Sequence, residues 1–266
     1  MRWAEGLLLW GGIAGYAGAL VLALLAVALR RDRLRSAGAL AAAVGWAAHG
    51  AAIVVRWIAT GHAPVQGQYE NSLAGAWFLP VVTFVIARAY RPVTRALPFV
   101  LAATLLILGN GIMSPADLEP LRPPFRSSWL AVHVAFAWVA FGSYIVATGL
   151  SGQLLWVTRG GRTAERGLAI DEAAGRLVGV GFLADTVMIA SGAIWAHGLW
   201  GRYWGWDPVE TWSLVSWLSY AAYLHLRLTL GWTGRRAAWV GVVAAAGILF
   251  TFFGFGHVVD VHTSLL

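Results

Sequence analysis

The chain is divided into long apolar runs separated by short polar connections, and this pattern most constrains its fold. The runs cover approximately residues 7–29, 37–59, 72–90, 96–112, 128–157, 176–196, 211–230 and 237–256. Each run is near the roughly 20 residues that a helix needs to cross a bilayer. Because they are apolar on every side and do not alternate, an outer-membrane barrel is disfavoured. We predict an all-α polytopic membrane protein of eight transmembrane helices, with residues 1–266 forming a single domain.

Composition excludes several classes of protein. Hydrophobic residues make up 59% of the chain and charged residues 12%, whereas soluble domains average about 45–50% and 25%. A secreted enzyme and a disordered chain are therefore excluded. The net charge is +7. The basic residues lie between the apolar runs, so we assign them to membrane orientation and expect no nucleic-acid partner. The chain has no cysteine, so any thiol in its chemistry must come from a partner.

The arginines fall into two sets that alternate around the eight runs. Fourteen of the nineteen lie in 30–35, 88–95, 159–176 and 227–236, and the other five are Arg2, Arg56, Arg122, Arg126 and Arg202. The positive-inside rule places the arginine-rich connections in the cytoplasm. Both termini and the connections 60–71, 113–127 and 197–210 are then external, which in a bacterial inner membrane is the periplasmic side.

The third external connection is unusually rich in tryptophan. Six of the sixteen tryptophans lie between Trp195 and Trp217, and Trp200, Trp204 and Trp206 alternate with glycine before Asp207. An aromatic belt at the membrane surface explains scattered tryptophans but not this cluster. The pattern favours a flat apolar platform for a large planar ligand. Asp207 and Glu210 are either ligand contacts or caps of the next helix.

The segment Trp200–Leu214, which reads WGRYWGWDPVETWSL, resembles the WWD domain of haem-handling membrane proteins. Its WDP-x-ETW continuation and the later segment 223–227 are similar to CcsA/ResC-type subunits of the system II cytochrome c synthase. Segments 128–133 and 62–70 resemble the family's histidine-bearing helix and first external loop. The resemblance implies a WWD loop at about 197–212, haem b as ligand and a CcsB/ResB-type partner subunit. The chain is then a transmembrane haem-handling domain.

The histidines are the candidate ligands of the haem iron. His133 lies near the external end of the fifth run, and His257 and His262 lie at the external end of the eighth. The resemblance implies a histidine pair flanking the WWD segment, and we favour His133 with His262, while His257 remains the alternative. His62 and His197 are interpreted as solvent-facing loop residues.

Two further polar residues are expected inside the membrane. His225 is either an interhelical contact or, as the resemblance implies, a ligand to an intramembrane haem that CcsB also ligates. His49 is the alternative second ligand within this chain. Asp185 is expected to pair with a histidine or an arginine.

Arg202 in the tryptophan loop, together with Arg56, Arg122 and Arg126, could bind the haem propionates. Interfacial anchoring explains Arg56 equally well. The predicted cofactor-binding residues are therefore His133, His262, His225, Trp200, Trp204, Trp206, Asp207 and Arg202, and no general acid or base is identified.

The resemblance implies a holocytochrome c synthase subunit, a haem lyase acting with CcsB. It would present haem b externally for thioether formation with the Cys-x-x-Cys-His thiols of apocytochrome c. A haem transporter that does not ligate and a b-type cytochrome membrane subunit are the alternatives.

The predicted topology is testable with reporter fusions. Reporters fused after residues 161 and 233 are expected to be active only when the reporter functions in the cytoplasm, because both positions lie in arginine-rich connections. External activity at either position would contradict the assignment.

Overall fold

The computed structural model describes residues 2–159 and 164–249, and these stretches form eight α-helices. The helices are α1 (Arg2–Leu29), α2 (Asp32–Thr60), α3 (Gly67–Ala89), α4 (Leu97–Ile112), α5 (Ser128–Val157), α6 (Ala164–Trp200), α7 (Pro208–Leu228) and α8 (Gly234–Leu249). Six helical stretches among the described residues are long and apolar enough to cross a membrane: α1, α2, α3, Val93–Ile112 with α4 at its end, α5 and α6. Helices suit this environment because they satisfy every backbone hydrogen bond internally. The all-α polytopic membrane fold is confirmed.

The boundaries of α6 differ from the predicted run 176–196. The helix has 37 residues, and its described part begins at Ala164, so it includes Asp171, which has a partner in α7. It also continues through Trp200 and ends where Gly201 adopts φ 69° and donates its N–H to the His197 carbonyl at 2.9 Å. The left-handed conformation favours glycine and stops the helix. The predicted loop 197–212 is therefore too long, because only 201–207 is non-helical.

The described helices fall into two compact units. Unit 1 contains α1 to α4, and unit 2 contains α5 to α8. The single-domain interpretation of residues 1–266 stays a prediction.

In unit 1, α1 packs closely along α2. A Cβ atom added at Gly15 would lie 2.6 Å from the Cα atom of Gly45, so the two backbones meet only because both positions lack side chains. Within the same contact, the Tyr16 hydroxyl lies 3.3 Å from His49 Nδ1, and both residues are fully buried. His49 thus joins α1 to α2.

A buried ion cluster organises one end of unit 1. Arg56 Nε donates to Glu70 at 2.8 Å and its Nη1 to Glu5 at 3.2 Å, while Tyr69 donates to Glu5 at 3.0 Å. Arg56 also donates to the backbone carbonyls of residues 116 and 117. Its guanidinium is 3% exposed. Arg56 therefore fastens the 113–122 segment and serves neither as a propionate ligand nor as an interfacial anchor.

The solvent-facing interpretation of His62 is wrong. The side chain is 8% exposed, with Nδ1 2.8 Å from the carbonyl of Ala63 and Nε2 3.0 Å from that of Glu119. Carbonyl groups in the 116–119 part of the proline-rich segment are bound by side chains from elsewhere in unit 1. His62 is one of these donors.

In unit 2, α5 packs along α6, and α7 and α8 pack against this pair. Arg227 of α7 binds both carboxylate oxygens of Asp171 in α6, at 3.0 and 2.9 Å. Asp171 lies 29 residues before Trp200, or about 44 Å along the helix. The charged end of unit 2 is thus remote from the 201–207 loop.

The Arg56 cluster is expected to contribute strongly to stability. Arg56→Gln leaves Glu5 and Glu70 buried without a cation, so we expect the free energy of unfolding to fall by about 3–5 kcal/mol. The measurement is the unfolding of the protein in mixed micelles titrated with a denaturing detergent. The control is Arg2→Gln, which removes an exposed pair with Asp117 and should cost under about 1 kcal/mol. Equal effects of the two changes would contradict the interpretation.

Candidate functional site

Unit 2 contains a cavity of about 180 Å³ beside the 201–207 loop. It lies between α5, α6, the loop and the start of α7, and most of its lining is apolar. The lining side chains that matter most for its chemistry are His133, Trp200, Tyr203, Trp204 and Glu210. The structure therefore brings the predicted His133 together with two of the three predicted tryptophans.

His133 is held by a hydrogen bond from α5 to the backbone of α6. Its Nδ1 lies 2.8 Å from the carbonyl oxygen of Met188. Because a carbonyl only accepts, this contact requires a proton on Nδ1. Metal-binding histidines are oriented in the same way by a partner on the other ring nitrogen. The orientation of His133 is therefore of the kind found in metal-binding histidines.

Gly192 provides the space in which the His133 ring lies. A Cβ atom at this position would come within 2.6 Å of His133 Nδ1 and 3.0 Å of Cε1, both closer than ordinary contact. Gly192 is one turn beyond Met188 on α6, so the residue that accepts the hydrogen bond and the residue that makes room share one helix face. Glycine is required here for close approach.

The tryptophans do not form the predicted flat platform. Trp204 and Trp206 meet edge to face at 84°, and Trp195 and Trp200 meet at 67°. Edge-to-face contacts are favoured because they place a positive ring edge against a negative ring face. Trp200 and Trp204 line the cavity, whereas Trp206 does not and is 70% exposed. Trp206 also adopts φ 57°, a strained conformation for a bulky residue.

Trp204 presents a polar atom among these apolar walls. Its indole Nε1 is buried and has no hydrogen-bond partner among the described residues. A buried N–H without an acceptor is costly, so it marks a place where a ligand acceptor would be stabilised.

Asp207 is the N-cap of α7, and Glu210 lies in its first turn. The Asp207 carboxylate accepts the backbone N–H of Glu210 at 2.8 Å, and Pro208 occupies the first helical position. Glu210 reaches back to the N–H of Gly205 in the loop. The capping alternative is thus confirmed for Asp207, whereas Glu210 ties the loop to the start of α7. The ligand-binding role predicted for Asp207 stays a prediction.

Arg202 differs from the other cations of the predicted external set. Arg122 pairs with Glu119, and Arg126 donates to the Leu121 carbonyl. Arg202 is exposed, its guanidinium lies over Gly205, and within the described part of the chain it makes no hydrogen bond or ion pair. Its charge is available to an anionic group at the cavity rim.

His225 lies far from this cavity. It is in the last turn of α7, 17 residues after Pro208 or about 26 Å along the helix, and its side chain is exposed. Its recorded contact is with Thr229, four residues later. The interhelical-contact alternative is therefore wrong, and ligation by an exposed ring stays a prediction.

The remaining histidine predictions have different outcomes. His197 is exposed as expected, but it belongs to the last turn of α6 and stacks on Tyr203 at 4.2 Å. His257 and His262 lie outside the described residues.

Among the described residues, Asp185 pairs with neither a histidine nor an arginine. It accepts a hydrogen bond from the Tyr144 hydroxyl at 3.2 Å. Sequence reasoning missed this tyrosine, together with Gly192, Phe141 and Met188. Residues at i+4 and i+8 from His133 share its helix face, so Ala137 and Phe141 could have been predicted to line the cavity. Met188 and Gly192 of α6 could not, because their position depends on how α5 and α6 pack.

Residues 20–262 match the family described as cytochrome C assembly protein. The chain belongs to this family. Among its relatives, the cytochrome c biogenesis protein CcsA of Synechococcus sp. (strain CC9902) is 36% identical over 242 residues, covering 77% of this chain and 78% of that protein. CcsA of Chlamydomonas reinhardtii is 32% identical over 212 residues, covering 76% of this chain and 59% of that protein.

The fold of this cytochrome c assembly protein also resembles a solved structure, the cytochrome c haem lyase CcmF. The TM-score is 0.68 at 20% identity, over 93% of this chain and 46% of that one. The chain thus spans less than half of CcmF, and the likeness supports the fold alone.

Adding a methyl group at Gly192 is expected to displace the His133 ring. Gly192→Ala should lower the free energy of unfolding by about 1–3 kcal/mol. It should also weaken the Nδ1–H hydrogen bond, measured by NMR of ¹⁵N-labelled histidine. Gly179→Ala on the same helix is the control, because nothing lies within 4 Å of its added Cβ. An unchanged His133 signal in Gly192→Ala would contradict this reasoning.

Proposed function

We propose that this protein binds haem b beside the 201–207 loop and presents it for covalent attachment to apocytochrome c. The observation that carries the proposal is the His133 ring at the cavity wall, held through Nδ1 by the Met188 carbonyl. Membership of the cytochrome c assembly family supplies the biological context. Haem is the substrate here, delivered to the apocytochrome.

The donor set fits an iron porphyrin better than a bare metal ion. In the two described stretches, no group of three or more His, Asp or Glu side chains could hold a metal. An iron porphyrin brings four nitrogen ligands of its own and needs only axial imidazoles from the protein. His133 supplies one such imidazole, and we propose His262 as the other.

The lining also fits the shape and charge of haem. The apolar walls suit a macrocycle, while the Trp204 N–H and the Arg202 guanidinium offer partners for propionates. The cavity of about 180 Å³ is smaller than the roughly 300–1,000 Å³ of pockets that enclose drug-sized ligands. A bound tetrapyrrole would therefore be only partly enclosed, with an edge open to a second substrate.

The reaction proposed is the addition of each apocytochrome thiol across a haem vinyl group. The sulfur forms a bond to one vinyl carbon and the thiol hydrogen ends on the other, so no net oxidation occurs. The chain has no cysteine, so both thiols come from the apocytochrome. The Glu210 carboxylate is bound to the Gly205 N–H, so we assign the loop to positioning rather than to proton transfer.

We also propose that the chain acts as a haem lyase with a CcsB/ResB-type subunit in the bacterial inner membrane, with the loop on the periplasmic side. Segregation of charge supports this orientation, since Arg227 and Arg235 lie at the end of unit 2 remote from the loop. The exposed His225 in that region is proposed to ligate an intramembrane haem together with this partner.

One observation favours a haem carrier as the second candidate. The cavity positions a ligand but shows no acid–base residue dedicated to chemistry, and a carrier needs only binding. Co-expression with CcsB and an apocytochrome decides between them. Only a lyase produces haem that is covalently bound to the apocytochrome, which pyridine haemochrome spectra detect. A b-type cytochrome fits less well, because His133 and His225 of unit 2 lie near opposite ends of their helices.

Loss of an axial ligand is expected to release haem. His133→Gly and His262→Gly should each lower haem occupancy of the purified complex at least tenfold, measured by pyridine haemochrome spectra, with partial recovery in added imidazole. His197→Gly, which removes an exposed ring at the rim, is the control and should retain haem. Unchanged occupancy in both ligand variants would refute the assignment.

A further inference from the structure

A buried polar cluster lies one helical turn beneath the cavity on three helices at once. Tyr144 follows the lining residue Phe141 by three positions on α5, and Asp185 precedes the lining residue Met188 by three on α6. On α7, Ser216 follows the lining residue Ser213 by three. Because three residues form almost one turn, these side chains sit below the cavity floor.

Asp185 is the ionisable member of this cluster. Its side chain is 1% exposed, Oδ2 accepts the Tyr144 hydroxyl at 3.2 Å, and Oδ1 has no partner. Within residues 2–159 and 164–249 it forms no ion pair. A carboxylate left without a cation inside a membrane is costly, so a change of charge nearby can decide whether this carboxyl group binds a proton.

The surroundings keep Asp185 in this position. The Tyr144 ring stacks on Tyr220 of α7 at 3.5 Å and 3°, and a Cβ at Gly181 would lie 2.7 Å from the same ring. Among the residues that the structure describes, the titratable groups that face Asp185 are Tyr144 and Tyr220. Between residues 237 and 249, α8 carries no titratable side chain.

We propose that Asp185 takes up a proton when the iron of a haem bound in the neighbouring cavity is reduced. This inference rests on the proposed function, since it requires haem beside His133. Asp185 lies seven residues inward from Gly192, the residue in contact with the His133 ring, or about 10 Å along α6. Charges at such a distance interact strongly where water is absent.

The charge balance is simple. One electron from an external one-electron reductant, such as dithionite, converts Fe(III) to Fe(II), and one proton from water converts the Asp185 carboxylate to the acid. The carboxylate favours the more positive ferric iron, and the neutral acid favours the ferrous iron. The midpoint potential must therefore fall as pH rises through the titration of Asp185.

The test uses the full chain with its partner subunit in lipid nanodiscs, loaded with haem. Spectroelectrochemical titrations at several values between about pH 5 and pH 9 give the midpoint potential of the haem. We expect the wild-type potential to fall by up to about 59 mV per pH unit over part of this range. Asp185→Asn should abolish that slope while haem occupancy is retained.

Two variants separate a proton-binding role from a structural one. Asp185→Glu keeps the carboxyl and should keep the slope. Tyr144→Phe removes the hydroxyl that stabilises the carboxylate, so the pH range over which the midpoint potential falls should shift to higher pH. Glu172→Gln, an acid-to-amide change at an exposed position of α6 paired with Arg176, is the matched control and should behave as wild type.

A pH-independent wild-type potential, or the same slope in Asp185→Asn, would overturn the inference while leaving haem binding intact. If Asp185→Asn does not fold, the inference is overturned instead when the midpoint potential of Tyr144→Phe falls over the same pH range as in the wild type. Failure of the folded wild-type complex to bind haem would refute the proposed function itself, and occupancy is measured separately from the potential.

Discussion

The hydrogen bond between His133 and the Met188 carbonyl is the interaction on which the proposed site depends. It joins α5 to α6, fixes which ring nitrogen carries the proton and sets the position of the imidazole at the cavity wall. It also imposes a requirement on the neighbouring turn, because only a glycine at position 192 leaves room for the ring. One side chain, one carbonyl and one missing methyl group thus fix the orientation of the imidazole that we propose as a haem ligand.

The polar groups of both units follow from the cost of charge in lipid. In unit 1, the Arg56 guanidinium satisfies two glutamates and two backbone carbonyls at once. In unit 2, the Asp171–Arg227 pair lies far along α6 from the loop. Among the described residues, Asp185 is the carboxyl group in the interior of unit 2 that has no cation beside it. An ionisable group in such a position usually has a function.

Much of the fold was predictable, because long apolar runs reflect the bilayer directly. His133, Trp200 and Trp204 were also found at the cavity, since their sequence pattern is dense and unusual. The failures have different physical causes. The burial of His62 and Arg56 was missed because they have partners in the distant 113–122 segment, and the flat tryptophan platform failed because indoles prefer edge-to-face contacts. The end of α6 was misjudged because a single glycine decides it. Pairings between remote segments are not visible in local patterns.

The length of α6 has a mechanical consequence. Its 37 residues extend about 55 Å, well beyond the roughly 30 Å hydrocarbon layer. A hydrogen-bonded helix resists stretching along its axis, so α6 couples the position of Asp171, seven residues after the helix begins, to that of Trp200 at its end. Movement of one would be transmitted to the other through about 44 Å of continuous helix.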